Sequence, residues 1–192
     1  MRKIMFNDYY GLTEAVLQGR KTMTRRQADV RWAAGDIHDN PVPKYKVGEV
    51  LAVAQSYKSI HEEMMNGDYG NSRYDAFRCA MVAGTKGWDN KMFVKADLIP
   101  HYIRITDVRV ERLQDISDED CLKEGIIRRD DMINSQMEDV VRYTFENSFV
   151  GGVYKTYATP REAFAALIDK VSGKGTWERN HWVFAYTFEL VK

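Results

Sequence analysis

An α+β domain with a small, barrel-like sheet is the fold class this sequence predicts. A helical period near the N-terminus gives way to strand segments, a sharply capped helix comes late, and an aromatic strand closes the chain. Between them, the segment Ile103 to Leu113 changes phase midway. Ile103 and Ile105 alternate one way and Val108 and Val110 the other, so a bulge or bend is expected near Thr106-Asp107, and a bent strand suits a barrel. With 192 residues, 44% hydrophobic and 29% charged, the chain reads as one domain over 1-192. At that length it buries about 70% of its unfolded surface and needs no covalent staple.

The first helix is expected from Tyr9 to Gln18, with Leu12, Val16 and Leu17 on one face and Gly19 as its stop. After a polar loop holding Pro41 and Pro43, Tyr45-Lys46-Val47-Gly48-Glu49 reads as a turn that launches a strand over 50-54. Residues 58-75 carry no clear period and read as a surface insertion, followed by a short strand near Phe77 to Met81. Past the long strand, Ser117 caps a helix whose first turn holds Asp118, Glu119 and Asp120, favourable at the positive end of the dipole, and Gly125 ends it. A second polar insertion covers 126-158, with a helix expected around Asn134 to Tyr143. Thr159, Pro160 and Glu162 start the last helix as cap, first helical residue and capping-box acid. Its core face is Phe164, Leu167, Ile168 and Val171, and Gly173-Lys174-Gly175 terminates it before the alternating strand Trp182 to Leu190.

Charge and composition exclude several function classes. Twenty-eight basic and 28 acidic residues give zero formal charge, so long-range coating of nucleic acid is excluded and any nucleic-acid role is confined to a local pocket. Cys79 and Cys121 have no metal-type spacing, and His38, His61, His101 and His181 lie far apart, so neither metal nor cofactor is expected. No apolar run reaches the roughly 18 residues that span a bilayer, and no hydrophobic signal core follows Met1-Arg2-Lys3-Ile4. A cytoplasmic protein is expected.

The segment Gly19-Arg20-Lys21-Thr22-Met23-Thr24-Arg25-Arg26 is the most informative. Four of its eight residues are cationic and two are hydroxylic, a set able to grip a phosphate or a polar base edge, or else a solvated basic turn. It resembles the motif of ASCH domains, a branch of the PUA-like superfamily. Tyr45 to Leu51, Ile105 to Ile116, and Gly173 to Trp177 followed by Trp182-Val183-Phe184 are similar to further family segments, in the right order and over about half the chain. The ending is similar to that of larger ASCH proteins of phages and bacterial genomes. Ala54-Gln55 departs from the Arg-Glu pair that many such relatives carry after the second strand.

The resemblance implies a PUA-like small mixed β-barrel with flanking helices and a cleft that accepts RNA or a nucleotide-like ligand. One branch hydrolyses the amide of acetylated cytidine, and its catalytic Lys, Thr and Glu would fall on Lys21, Thr24 and Glu124, with Glu119 as a weaker match for the last. The chemistry fits those types. Thr24 would attack the acetyl carbonyl and Lys21 would take its proton, which requires the amine to fall from about 10.4 toward roughly 7 to 8, on the order of 4 kcal/mol. Burial and Arg20, Arg25 and Arg26 push that way. An adjacent ionised Glu124 pushes back, so its tasks are orienting Lys21 or handling the leaving-group proton. The alternative for the same residues is a plain Lys21–Glu124 salt bridge, worth about 0 to 1 kcal/mol if exposed.

Arg20, Arg25, Arg26, Lys174 and Trp177 are expected to line the ligand cleft, with Trp177 available to stack on a base. The other aromatic residues of the ending are explained by strand alternation. Three functions remain open: a module for RNA or a modified nucleoside or nucleotide, an amidohydrolase of an acylated pyrimidine nucleoside, and an adaptor that uses the two insertions.

Overall fold

A computed structural model describes residues 1–28, 42–66, 84–133 and 136–191. The strand expected at Phe77 to Met81, and with it Cys79, lies outside the described residues, as do His38 and Pro41. The architecture is α+β, with a five-stranded mixed sheet of order β1-β3-β4-β9-β2: β1 is Lys3–Ile4, β2 Met23–Gln27, β3 Val50–Val53, β4 Tyr102–Arg112 and β9 Trp182–Val191. Among the described residues this sheet keeps two edges, at β1 and β2, and is not a closed barrel.

The chain groups into two compact units. The first comprises Met1–Phe6, Val50–Arg104 and Leu190–Lys192. In it β1 pairs parallel to β3, with Ile4 opposite Val53, and β3 pairs antiparallel to the start of β4, with Leu51 opposite Ile103. The segment expected to be an irregular insertion begins with helix α2, Tyr57–Asn66. Tyr57, Ile60 and Met64 form its buried stripe, packed with Ala52, Val94 and Ile99. This corrects the sequence reading: the stripe is three residues wide among polar neighbours, and its partners come from residues 88-102, so the short apolar period is invisible locally.

The second unit comprises Asn7–Glu49 and Ile105–Glu189. Helix α1 spans Leu12–Leu17, shorter than expected because Gly11 enters it in the left-handed conformation, and Gly19 ends it as anticipated. The turn before β3 also forms, with Glu49 N–H donating to the Lys46 carbonyl at 3.0 Å. Helix α3, Asp118–Lys123, is capped by Ser117, whose hydroxyl accepts from the Asp120 N–H at 3.1 Å.

Of the helix expected from Asn134 to Tyr143, residues 134 and 135 lie outside the described residues and 139–143 belong instead to a strand. β5, Ile127–Ile133, pairs antiparallel with β6, Asp139–Thr144, and β7, Phe149–Val150, pairs with β8, Val153–Tyr154. Val140 and Val141 carry the β-branched preference, and antiparallel pairing with β5 gives the strand's backbone groups their partners. Helix α4, Pro160–Ser172, starts on the predicted cap, Thr159 accepting from Glu162 N–H at 3.1 Å, while the Glu162 carboxylate takes the Ala158 N–H. It buries Ala163, Phe164 and Leu167 and leaves Ile168 and Val171 half-covered. A short helix α5, Thr176–Arg179, leads into β9.

The long strand β4 is continuous through Thr106-Asp107, and full burial ends there: Ile103 and Ile105 are buried, beyond them Val108 and Glu111 are half-buried, and Val110, expected on the same face as Val108, is exposed.

Candidate functional site

Three backbone contacts fix the basic turn that leads into β2. The Lys21 N–H donates to the Ala15 carbonyl at the end of α1, and the Thr22 N–H donates to the Lys123 carbonyl at the end of α3. The Thr22 carbonyl in turn accepts from the Phe188 N–H on β9. Gly125, at φ 104°, completes the arrangement: a methyl group there would meet Leu12 Cδ2 at 3.2 Å and Lys21 Cδ at 3.7 Å. The Lys21 side chain therefore runs inward, and the residue is only 2% exposed.

Inside, Lys21 Nζ donates to Glu124 Oε2 at 2.6 Å and to the Glu124 carbonyl at 2.7 Å. Arg25 reaches the same acid, with Nη1 3.2 Å from Glu124 Oε1. Its other nitrogens engage Glu111 Oε1 at 2.7–2.8 Å and Asp120 Oδ2 at 3.0 Å. Arg109 Nη2 closes the cluster on Asp120 Oδ2 at 2.9 Å. Two buried cations, Lys21 and Arg25, thus meet three carboxylates, and half-exposed Arg109 supplies the third positive charge from the solvent side.

Electrostatic directions follow from this packing. Desolvation pushes the Lys21 amine below its ordinary range and the fields of Arg26 and Arg25 push it further, against the opposing pull of Glu124. Desolvation acts to raise Asp120, but hydrogen bonds from Arg109 and Arg25 outweigh it and hold the carboxyl below the usual carboxylate range. Burial drives the Cys121 thiol up to about 12, which removes it as a nucleophile.

Thr24 is 4% exposed and pairs in register with Tyr186. By the two-residue period of β2 its side chain leaves on the face opposite Arg25, and no hydrogen bond joins its hydroxyl to the Lys21 amine or the Glu124 carboxylate. Arg26, half-buried, shares the Thr24 face and pairs with Phe184. The structure thus brings Lys21, Arg25 and Glu124 together and leaves Thr24 beside them without a bond to them.

The remaining expected cleft residues are distributed otherwise. Arg20 is exposed and donates to Gln18 Oε1. Lys174 is exposed in the glycine turn. The Trp177 ring, half-buried, packs at 81° to Phe164 with centroids 6.1 Å apart and lies under the Arg161 guanidinium at 5.2 Å, which covers one of its faces. Glu119 is mainly exposed and pairs with Lys123.

Known protein families, curated proteins and solved structures yield no match to this chain.

Sequence reasoning missed Glu111, Asp120 and Arg109. Two signals pointed to them. Asp120 and Glu124 stand four apart, hence on one face of α3, and Arg109 and Glu111 stand two apart, hence on one face of β4. Among the described residues, no group of three or more His, Cys, Asp or Glu is arranged to hold a metal ion, and no helix is long and apolar enough to cross a membrane.

Proposed function

We propose that this chain is a cytoplasmic ASCH-type, PUA-like domain that binds RNA or a nucleotide-like ligand beside the Lys21–Arg25–Glu124 cluster. One observation carries the reading: Lys21 and Glu124, 103 residues apart, meet at 2.6 Å in the interior, and they are two of the positions the family resemblance assigns to one site. The cluster anchors β2 from one face. Arg26, half-buried on the other face of β2, is the side chain that meets a phosphate or base edge.

A second reading, hydrolysis of an acetylated cytidine, is favoured by the direction in which burial shifts Lys21. Thr24 Oγ would add to the acetyl carbon and pass its proton to a neutral Lys21. Collapse would break the C–N bond as the amine takes that proton, and water would release acetate from the threonine. The step requires the Thr24 hydroxyl to turn toward an amine that now donates to Glu124.

One experiment separates the two. Purified protein is mixed with acetylated cytidine, and separately with a single-stranded RNA at several salt concentrations. The binding reading expects no cytidine release, and salt-dependent RNA binding weakened about tenfold by Arg26→Ala. Cytidine release abolished by both Lys21→Ala and Thr24→Ala establishes the hydrolase instead. RNA binding indifferent to Arg26→Ala, with no turnover, defeats both.

A further inference from the structure

A small hollow in the second unit opens between β2, the end of α4, α5 and the start of β9. Its volume is about 80 Å³. That is several times the ~10–15 Å³ one water requires and well below the roughly 300 Å³ at which small-molecule pockets begin. It has room for a small polyatomic ion or for one end of a larger molecule. Leu113, Ile168 and Val183 supply its apolar wall.

The polar lining has one sign. Arg25, Gln27, Ser172, Arg179 and His181 face the hollow, and none of its nine lining residues is a carboxylate. Arg25 is neutralised by the cluster behind it. Arg179 is different: among the described residues it forms no ion pair and spends its donors on neutral acceptors. Nε donates to His181 Nε2 at 3.1 Å, Nη2 to Thr176 Oγ1 at 3.1 Å and Nη1 to the Lys174 carbonyl at 3.4 Å. Three of five N–H groups are used, leaving one on each terminal nitrogen for an oxyanion.

The same bonds prepare the neighbours. Because His181 Nε2 accepts, the ring proton sits on Nδ1 and is available to donate. Thr176 gives its proton to the Gly173 carbonyl at 2.6 Å and so serves to hold Arg179 in place. Ser172 and Gln27 add an exposed hydroxyl and amide. Asp169 on α4 is not among the lining residues, and both its carboxylate oxygens are engaged by the Gly175 and Trp177 N–H groups at 3.0 and 2.8 Å.

We propose that this hollow is a phosphate-binding site, for inorganic phosphate or for the phosphoryl group of a nucleotide. Donors come from β2, α4, α5 and from His181 in the link between α5 and β9, thus from several directions, which suits a tetrahedral oxyanion better than a planar carboxylate with two coplanar oxygens. The site stands independently of the RNA reading, which turns on Arg26 and not on Arg179.

The test is a titration of the full chain with inorganic phosphate, followed by backbone amide resonances. Saturable shifts centred on Thr176, Arg179 and His181 are expected. Arg179→Ala should raise the dissociation constant at least tenfold, Arg179→Lys should fall between, and Ser172→Ala should cost a few-fold. Parallel titrations with cytidine 5′-monophosphate and cytidine separate the sources: tighter binding of the nucleotide at the same amides marks a nucleotide phosphate, and equal affinity marks the free ion. Shifts that do not saturate, or that persist unchanged in Arg179→Ala, overturn the proposal.

Discussion

Lys21 is held in the interior by a balance that single substitutions upset. Removing one partner of a buried pair leaves a charge without compensation, and typically costs about 3–5 kcal/mol, whereas replacing both partners by apolar groups recovers much of it. Lys21→Met and Glu124→Gln should therefore each lower the urea midpoint strongly, and Lys21→Met/Glu124→Leu should lie above the worse single variant. The pH dependence has a definite sign. Because the folded amine lies below its ordinary value, the folded state binds fewer protons than the unfolded one between that lowered value and about 10.4, so stability gains as pH rises through this window. Unfolding measured at pH 7 and pH 9.5 should show the gap between wild type and Lys21→Met changing in favour of wild type at the higher pH. Asp120 works at the acid end. Its carboxyl is depressed, so its contribution is whole above about 3.9 and is lost as pH falls through the folded value.

Helix ends and strand phase are the features that local sequence conveys well. Ser117 and Thr159 cap where a short polar side chain meets orphan N–H groups, a one-turn interaction that needs no distant partner. Elements whose apolar faces depend on remote residues are harder to read, as α2 and the β5–β6 ribbon show. Gly125 joins the two cases. It was legible as a helix stop, but its left-handed backbone and its approach to Leu12 and Lys21 exist only in the fold. Gly125→Ala should destabilise by about 1–3 kcal/mol through backbone strain and displace the Lys21 stem. A lowered unfolding midpoint and shifted Lys21 resonances would register it, and a variant as stable as wild type with an unmoved Lys21 would refute it.

Zero net charge sets the behaviour of the whole molecule toward polyanions. With acidic and basic residues in equal number, RNA binding through Arg26 and a few neighbours displaces few counterions. The slope of log affinity against log salt should be about −2, as expected for roughly three phosphate contacts on a single strand; a slope near −6 would mean that a broad surface is engaged. The residue types of the candidate site, its cationic turn and its acidic helix were all present in the sequence, because each is a local motif set by composition and capping. Periodicity and end chemistry act over a few residues, so the α+β class, the two cap-initiated helices and the aromatic closing strand are legible in the amino-acid order alone. The fold alone brings Glu111, Asp120 and Arg109 to Lys21 and Glu124, and leaves Arg179 with no ion pair among the described residues. Those outcomes depend on which strands pair and in what register, and burial makes each misplaced charge too costly for the side chains to choose otherwise.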